Sequence, residues 1–130
     1  MNEILIPISP GELLDKITIL QIKAERIADA AKVANVKTEL DMLSKVWDES
    51  VESDDVITAL SAELKSINER LWEIEDDIRD EERNRSFGER FVELARAVYV
   101  TNDERANAKK KVNLHLNSTI VEEKSYQDYR

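Results

Sequence analysis

The chain contains no cysteine, only two glycines and two prolines, and few aromatic side chains. Without cysteine, a disulfide framework, a thiolate metal site and a cysteine nucleophile are excluded, and nothing requires an oxidising compartment. Because glycine and proline are scarce while Leu, Ile, Ala, Glu, Lys and Arg are abundant, the composition favours helix. We therefore expect one all-α domain spanning residues 1–130.

The sequence also has no long hydrophobic run. Positions 4–8 are largely apolar, but Glu3 precedes them and Pro7 interrupts them, which fits neither a signal peptide nor a membrane-spanning segment. A net charge of −9 disfavours a nucleic-acid partner, because affinity for phosphates rests mainly on cations. These features predict a cytoplasmic protein without a membrane or nucleic-acid partner.

Acidic and basic residues are unevenly distributed along the chain. Residues 39–82 contain sixteen acidic and four basic residues, whereas residues 83–111 contain eight basic and four acidic ones. Segments of opposite charge either pack together within the chain or pair across an oligomer. Together with helices that have wide apolar stripes, this pattern favours a homodimer, and a different protein partner is an alternative.

Helix-capping residues divide the first half of the chain. The stretch SPGE at residues 9–12 combines a hydroxyl N-cap, a helix-starting proline and a capping-box glutamate, so a first helix begins near Pro10. Asp29 can cap a second helix, unless the first two run on as one. The polar stretch ESVESDD then breaks the pattern, and a third helix begins at Asp54 or Asp55.

Two further capping boxes lie in the second half. The stretch SFGE at residues 86–89 predicts the start of a fourth helix. The stretch TNDE at residues 101–104 leaves two alternatives: a fifth helix begins at Asp103, or the fourth continues to about residue 117 with polar groups on its seam. The prediction is an antiparallel bundle of four to five helices, preceded by an N-terminal arm at residues 1–9.

The last residues, 118–130, have no helical periodicity but still contain Ile120, Val121, Tyr126 and Tyr129. A free tail has little reason to carry so many apolar and aromatic groups. We therefore expect an extended C-terminal arm that docks on the bundle or on a second subunit.

A row of carboxylates lies in the predicted third helix, in the stretch NERLWEIEDDIRDEE. At about 100° per residue, the polar residues of this stretch separate into two sets. One set lies opposite the apolar seam and is expected in solvent: Glu69, Glu73, Asp76 and Asp80. The other set lies beside the seam: Asn68, Trp72, Glu75, Arg79 and Glu82.

Polar residues also lie on the seam of the predicted fourth helix, among them Asn102 and Arg105. Such groups need hydrogen bonds or a place at the mouth of a cleft. We predict one polar cluster between helices, a candidate binding site with eight members: Asp15, Arg26, Asn68, Trp72, Glu75, Arg79, Asn102 and Arg105. A simpler alternative is that Glu75 and Arg79 form only an ion pair, because they are spaced i,i+4.

A metal-dependent enzyme is the competing interpretation. Glu49-x-x-Glu52 followed by Glu73-x-x-Asp76 resembles the all-α nucleotide pyrophosphohydrolases, and the resemblance implies carboxylates on facing helices that hold Mg²⁺ against a triphosphate. In this chain the first two carboxylates lie in a predicted loop, and the other two face away from the seam. His115 is the only histidine, and the P-loop, dinucleotide and Gly-x-Ser-x-Gly motifs are absent.

Over nearly the whole chain, four stretches resemble a domain-of-unknown-function family of small helical bacterial proteins, some near polysaccharide-biosynthesis genes. These stretches are IPISPGELLDKITIL, LWEIEDDIR, FVELARAVYVTNDERANAKKKVN and VEEKSY. The resemblance implies no catalytic residue, only that certain residues lie in the family's characteristic stretches: Ser9, Pro10, Gly11, Glu12, Asp15, Lys16, Glu75, Asp76, Arg79, Asn102, Arg105, Lys124 and Tyr126.

The sequence as a whole favours a non-enzymatic binding or scaffolding protein without a cofactor. One alternative is the Mg²⁺-dependent hydrolase. Another is a binder of a small molecule or nucleotide sugar that uses the polar cluster between helices.

Overall fold

A computed structural model describes residues 2–130, which form four α-helices and no strand. The helices are α1 (Pro10–Arg26), α2 (Ala30–Ser50), α3 (Asp55–Arg83) and α4 (Glu89–His115). The all-α prediction is therefore confirmed. No described helix is both long and apolar enough to cross a membrane.

Three of the predicted helix starts are confirmed by their caps. The hydroxyl of Ser9 accepts a hydrogen bond from the backbone N–H of Glu12 at 3.1 Å, with Pro10 in the first turn. Asp29 caps α2, so α1 and α2 are separate helices. The carboxylate of Asp54 accepts from the backbone N–H of Ile57 at 2.9 Å and begins α3.

The second half of the chain departs from the predicted caps. Gly88 is the N-cap of α4 and makes no side-chain cap bond, so the capping box at residues 86–89 is wrong. The backbone N–H of Ser86 instead donates to the carbonyl of Glu81, which closes the end of α3. Of the two alternatives at residues 101–104, the fifth helix is wrong and the continuous helix is confirmed, because α4 runs from Glu89 to His115.

Two helix ends differ from the prediction. Helix α2 continues to Ser50, so Glu49 lies in its last turn and the loop to α3 is only residues 51–54. Helix α4 ends at His115, and residues 117–130 form no helix or strand.

Helix α1 is central because it packs against each of the other three helices. Helices α3 and α4 also pack against each other in an antiparallel pair, with ion pairs between Asp77 and Arg90 at 3.3 Å and between Arg70 and Glu104 at 2.7 Å. The sequence predicted that these segments of opposite charge either pack together within the chain or pair across an oligomer. The structure shows the first of these two arrangements.

The core lies where α1, α3 and α4 meet, with Trp47 of α2 closing one side. Its buried side chains include Leu13, Leu14, Ile17, Ile57, Leu60, Leu64, Ile67, Leu71, Ala108 and Val112. The predicted seam of α3 is thus buried as far as Leu71, whereas Ile74 and Ile78 are only half-buried.

The lengths of the helices explain where the core ends. Helix α1 has 17 residues, against 29 in α3 and 27 in α4. At 1.5 Å per residue, α1 is roughly 15 Å shorter than either neighbour. Beyond its end, α3 and α4 are covered by no third helix, and a cleft opens beside the second half of α1.

Candidate functional site

The cleft between α1, α3 and α4 has a volume of about 460 Å³. Its apolar side is formed by Ile19, Ile22, Leu71 and Trp72. Its polar side is formed by Asn68, Glu75, Asp76, Arg79, Asn102 and Arg105. Cavities of this size that combine an apolar wall with a few polar groups are typical of small-molecule sites.

Arg105 is held in place by Asp15 of α1, whose carboxylate is buried behind the cleft at 1% exposure. The Arg105 guanidinium lies 3.1 Å from Asp15 Oδ2 and donates to Asn102 Oδ1 at 3.4 Å. The amide of Asn68 donates to Asp15 Oδ1 at 2.9 Å and to Thr18 Oγ1 at 3.1 Å. A charged group this deeply buried requires such partners, and together they fix the side chains that line the cleft.

Glu75 and Arg79 form the second polar pair of the cleft. The Arg79 guanidinium contacts the Glu75 carboxylate one turn away and donates to the Glu75 backbone carbonyl at 3.1 Å. The i,i+4 ion pair raised as the simpler alternative is therefore present, and both residues also line the cleft. Their side chains are substantially exposed, 44% for Glu75 and 70% for Arg79, so solvent or a ligand can reach them.

Six of the eight predicted site residues line this cleft: Asn68, Trp72, Glu75, Arg79, Asn102 and Arg105. Asp15 supports the cleft from behind, through Arg105. Arg26 lies outside it and reaches Glu69 and Glu73 at 3.5 Å each. The structure thus brings seven of the eight residues together, and their role in binding stays a prediction.

Sequence reasoning missed three residues around the cleft. Asp76 was expected in solvent, and it is exposed, but it also lines the cleft, which was not predicted. Thr18 and Lys109 were not assigned, although Thr18 accepts from Asn68 and Lys109 lies 3.9 Å from Asp15. The available signal was spacing, because Thr18 lies one turn after Asp15 and Lys109 one turn after Arg105.

The four carboxylates of the Mg²⁺ alternative lie in two separate places. Glu49 lies in the last turn of α2 and Glu52 in the loop after it, whereas Glu73 and Asp76 lie far along α3. Residue 73 is eighteen positions after the start of α3 at Asp55, roughly 27 Å along the helix axis. Within residues 2–130, no group of three or more His, Asp or Glu side chains is arranged to hold a metal ion.

A second polar cluster joins the start of α1 to the end of α4. The backbone N–H of Gly11 donates to Asn113 Oδ1 at 2.7 Å, and Asn113 Nδ2 donates to Glu122 Oε1 at 3.0 Å. The hydroxyl of Ser9 donates to the same carboxylate at 2.7 Å. Burial alone would raise the pKa of Glu122, but the bonds from Ser9 and Asn113 and the charge of Lys109 outweigh it and hold that pKa below its usual range.

Comparisons with known proteins give one family and no further relative. No curated protein and no solved structure matches the chain. A family model described as a family of unknown function, DUF6165, matches residues 4–129. This match covers the four helices and nearly all of the segments around them, and the chain therefore belongs to that family of unknown function.

Proposed function

We propose that the protein is a non-enzymatic binding protein whose cleft takes a small, neutral, hydroxyl-rich molecule with one apolar face. The observation that carries this proposal is the cleft of about 460 Å³, where amides, carboxylates, guanidinium groups and an indole converge. Pockets for small molecules are usually preformed and of this size. The polar groups here are held in place by Asp15 and by the Glu75–Arg79 pair, which supports a preformed site.

The charge balance of the cleft favours a neutral ligand over a phosphate. Arg105 already faces the buried carboxylate of Asp15, and Arg79 faces Glu75. Asp76 adds a further carboxylate to the lining. A phosphate would have to compete with these carboxylates for the two guanidinium groups, whereas a hydroxyl group can both donate to a carboxylate and accept from an amide.

The apolar side of the cleft favours a ring over an extended chain. Trp72 presents a flat surface beside Ile19, Ile22 and Leu71. An indole combines a large apolar surface with one hydrogen-bond donor, so it suits a ring whose face is apolar and whose edge carries hydroxyls. Saccharides are a chemical class with both properties.

Tryptophan fluorescence tests this proposal, because the chain has two tryptophans and only Trp72 lines the cleft. In a Trp47→Phe background, Trp72 is the only reporter. We expect neutral mono- and disaccharides to shift its emission and raise the melting temperature, and their phosphate esters to do neither. Asn102→Ala should weaken binding by roughly tenfold, the cost of about one hydrogen bond.

Arg26→Ala is the matched control, since Arg26 is a predicted site residue that lies outside the cleft. This variant should bind as the parent does. The proposal is wrong if no neutral saccharide changes emission or melting temperature at millimolar concentration. It is also wrong if only phosphate esters do so, or if Asn102→Ala and Arg26→Ala behave alike.

The proposed functional unit is a homodimer, which would appear as twice the chain mass in light scattering. Support comes from large aliphatic side chains left exposed near the N-terminus, above all Ile4, Leu5 and Ile6. The proposal also includes the C-terminal arm at residues 118–130, supported by the contacts of Glu122 with Ser9 and of Tyr129 with Asp103. The cytoplasmic location expected from the sequence stays a prediction.

A further inference from the structure

Three consecutive aliphatic residues near the N-terminus are largely in solvent. The exposed fractions of Ile4, Leu5 and Ile6 are 76%, 88% and 69%. They belong to residues 2–9, which form no helix or strand, and no backbone hydrogen bond joins residues 2–8 to the rest of the described chain. Contiguous exposed apolar side chains mark a surface that another molecule covers.

A second cavity, of about 540 Å³, opens where this segment joins α1 and is called the N-terminal cavity below. Six of its lining residues are apolar: Ile8, Pro10, Leu13, Val46, Val51 and Leu116. The other five are polar or charged: Ser50, Glu52, His115, Asn117 and Ser118. The cavity lies at the opposite end of α1 from the cleft. The apolar part of its walls matches the exposed aliphatic residues beside it, and the polar part leaves room for solvent at the rim.

We propose that two copies of the chain exchange their N-terminal segments, so that Ile4, Leu5 and Ile6 of each copy pack on the apolar side of the N-terminal cavity of the other. This inference rests on the proposed homodimer and names the surface through which the copies meet. Because each copy gives a segment and receives one, the contact is isologous and closes at two subunits.

A second copy fits this cavity better than the chain's own segment does. Ile8 already lines the cavity, and Ser9 is fixed beside it by its bonds to Glu12 and Glu122. To enter its own cavity, Leu5 would have to reverse direction within two or three residues. Pro7 opposes that reversal, because a proline fixes its own φ and keeps the residue before it extended.

The area available lies at the lower limit for a specific interface. Two insertions, each burying three aliphatic side chains and the walls that receive them, would remove on the order of 1,000 Å² from solvent, about the smallest area that a specific interface buries. Val46 is itself 45% exposed at the cavity and would be covered by the same exchange. The exchange therefore gives one explanation for four exposed aliphatic residues.

Disulfide trapping tests the exchange directly, because the chain has no cysteine of its own. The full chain with Leu5→Cys and Val46→Cys is oxidised with diamide at tens of micromolar and run on a non-reducing gel. We expect a covalent dimer that reductant dissolves. The control pair Leu5→Cys with Val92→Cys places the second thiol on an exposed residue of α4 outside the cavity, and it should give several-fold less dimer.

Two results of the disulfide experiment would overturn the exchange. An intrachain bridge, seen as a monomer of altered mobility, would show that the segment occupies its own cavity and would overturn the exchange. Equal dimer yields in the two cysteine pairs would also overturn it, because they indicate random collision.

Light scattering separates the exchange from the homodimer itself. Leu5→Ser should shift the wild-type mass from dimer to monomer, while Val92→Ser, a similar change at another exposed aliphatic residue, should not. If a dimer persists in Leu5→Ser, the homodimer stands and the exchange is wrong. If the wild-type chain is monomeric at tens of micromolar, both proposals are wrong. Circular dichroism checks that each variant keeps its helices.

Discussion

At the level of single residues, buried polar side chains determine how α1 lies against α3 and α4. Asp15, Asn68 and Asn113 are each at most 5% exposed, and each is hydrogen-bonded or ion-paired across a helix interface. Burying a polar group without a hydrogen-bond partner costs folding free energy. These three groups find their partners only when the helices lie in one register, so they favour that register. Aliphatic contacts alone would allow α1 to slide along α3 and α4.

Gly11 allows α1 to approach α4 closely. A Cβ added there would lie 2.3 Å from the backbone carbonyl oxygen of Lys109 and 2.8 Å from Asn113 Oδ1. Because a backbone oxygen cannot move aside cheaply, we expect Gly11→Ala to lower the free energy of unfolding by about 1–3 kcal/mol. Urea unfolding followed by circular dichroism measures this loss.

Gly88→Ala is the matched control for that measurement. An added Cβ at Gly88 meets nothing within 4 Å, and its φ is −85°. Gly88 is an N-cap, and alanine is a slightly poorer N-cap than glycine. Gly88→Ala should therefore lower the free energy of unfolding by less than about 0.7 kcal/mol. Equal losses in the two variants would contradict the close-approach explanation.

Asp15 is the most deeply buried charge of the cleft. Asp15→Asn keeps the shape but removes the charge that faces Arg105 at 3.1 Å and Lys109 at 3.9 Å. We expect a loss of about 2–4 kcal/mol in unfolding free energy, because two cations lose a buried partner. Asp77→Asn, which breaks the exposed pair with Arg90, should cost less than about 1 kcal/mol in the same denaturant series. If Asp15→Asn costs no more than Asp77→Asn, the buried charge of Asp15 does not stabilise the fold.

At the level of elements, the segment after α4 is held against that helix largely by charged and polar side chains. Glu122 accepts from Ser9 and Asn113, and Asp103 of α4 accepts from Lys124 and Tyr129. Hydrogen bonds from Lys124 and then Tyr129 hold the pKa of Asp103 below its usual range. Two ionised carboxylates with lowered pKa values, Glu122 and Asp103, therefore hold this segment, in addition to the exposed pair of Glu123 with Lys110.

These contacts should weaken in acid. The pKa values of Glu122 and Asp103 are lowered in the folded chain, so each carboxylate stabilises the contact above its ordinary pKa and loses that effect as the pH falls through the lowered one. We expect amide NMR signals of residues 119–130 to move toward unfolded positions below about pH 4, before the helices unfold. Simultaneous loss of all signals would contradict this order.

Charge removal tests the same contact at neutral pH. Glu122→Gln should shift the signals of residues 119–124 without acid, because the bonds from Ser9 and Asn113 lose their charged acceptor. Glu123→Gln is the matched control, since Glu123 is 72% exposed and pairs only with Lys110 among the described residues. In Glu123→Gln, the signals of the segment should keep their positions at neutral pH, and their transition in acid should match that of the unchanged chain.

At the level of the whole molecule, the two proposed surfaces lie at different ends of α1. The N-terminal cavity includes Pro10 and Leu13, and the cleft includes Ile19 and Ile22. From residue 10 to residue 22 the helix rises roughly 18 Å, so the two surfaces share no lining residue. The dimer and the cleft can thus be tested separately, since a change at Leu5 leaves the cleft intact.

Much of the secondary structure was predictable because its signals are local. Ser9, Asp29 and Asp54 each cap a helix through contacts within three residues, and the apolar spacing of α3 predicts its buried side as far as Leu71. The capping box at residues 86–89 failed because Ser86 closes the end of α3 instead. A local pattern cannot tell which of two adjoining helices will use a residue.

The sequence by itself determined the all-α class, most helix starts and which polar residues lie beside the apolar seams, since these follow from capping and helical periodicity. Only the tertiary structure decided that Asp15 supports Arg105, that Arg26 lies outside the cleft and that Asp76 lines it. These outcomes depend on the relative lengths and register of α1, α3 and α4. Periodicity gives the angle of a side chain around its own helix, but not the height at which a neighbouring helix ends.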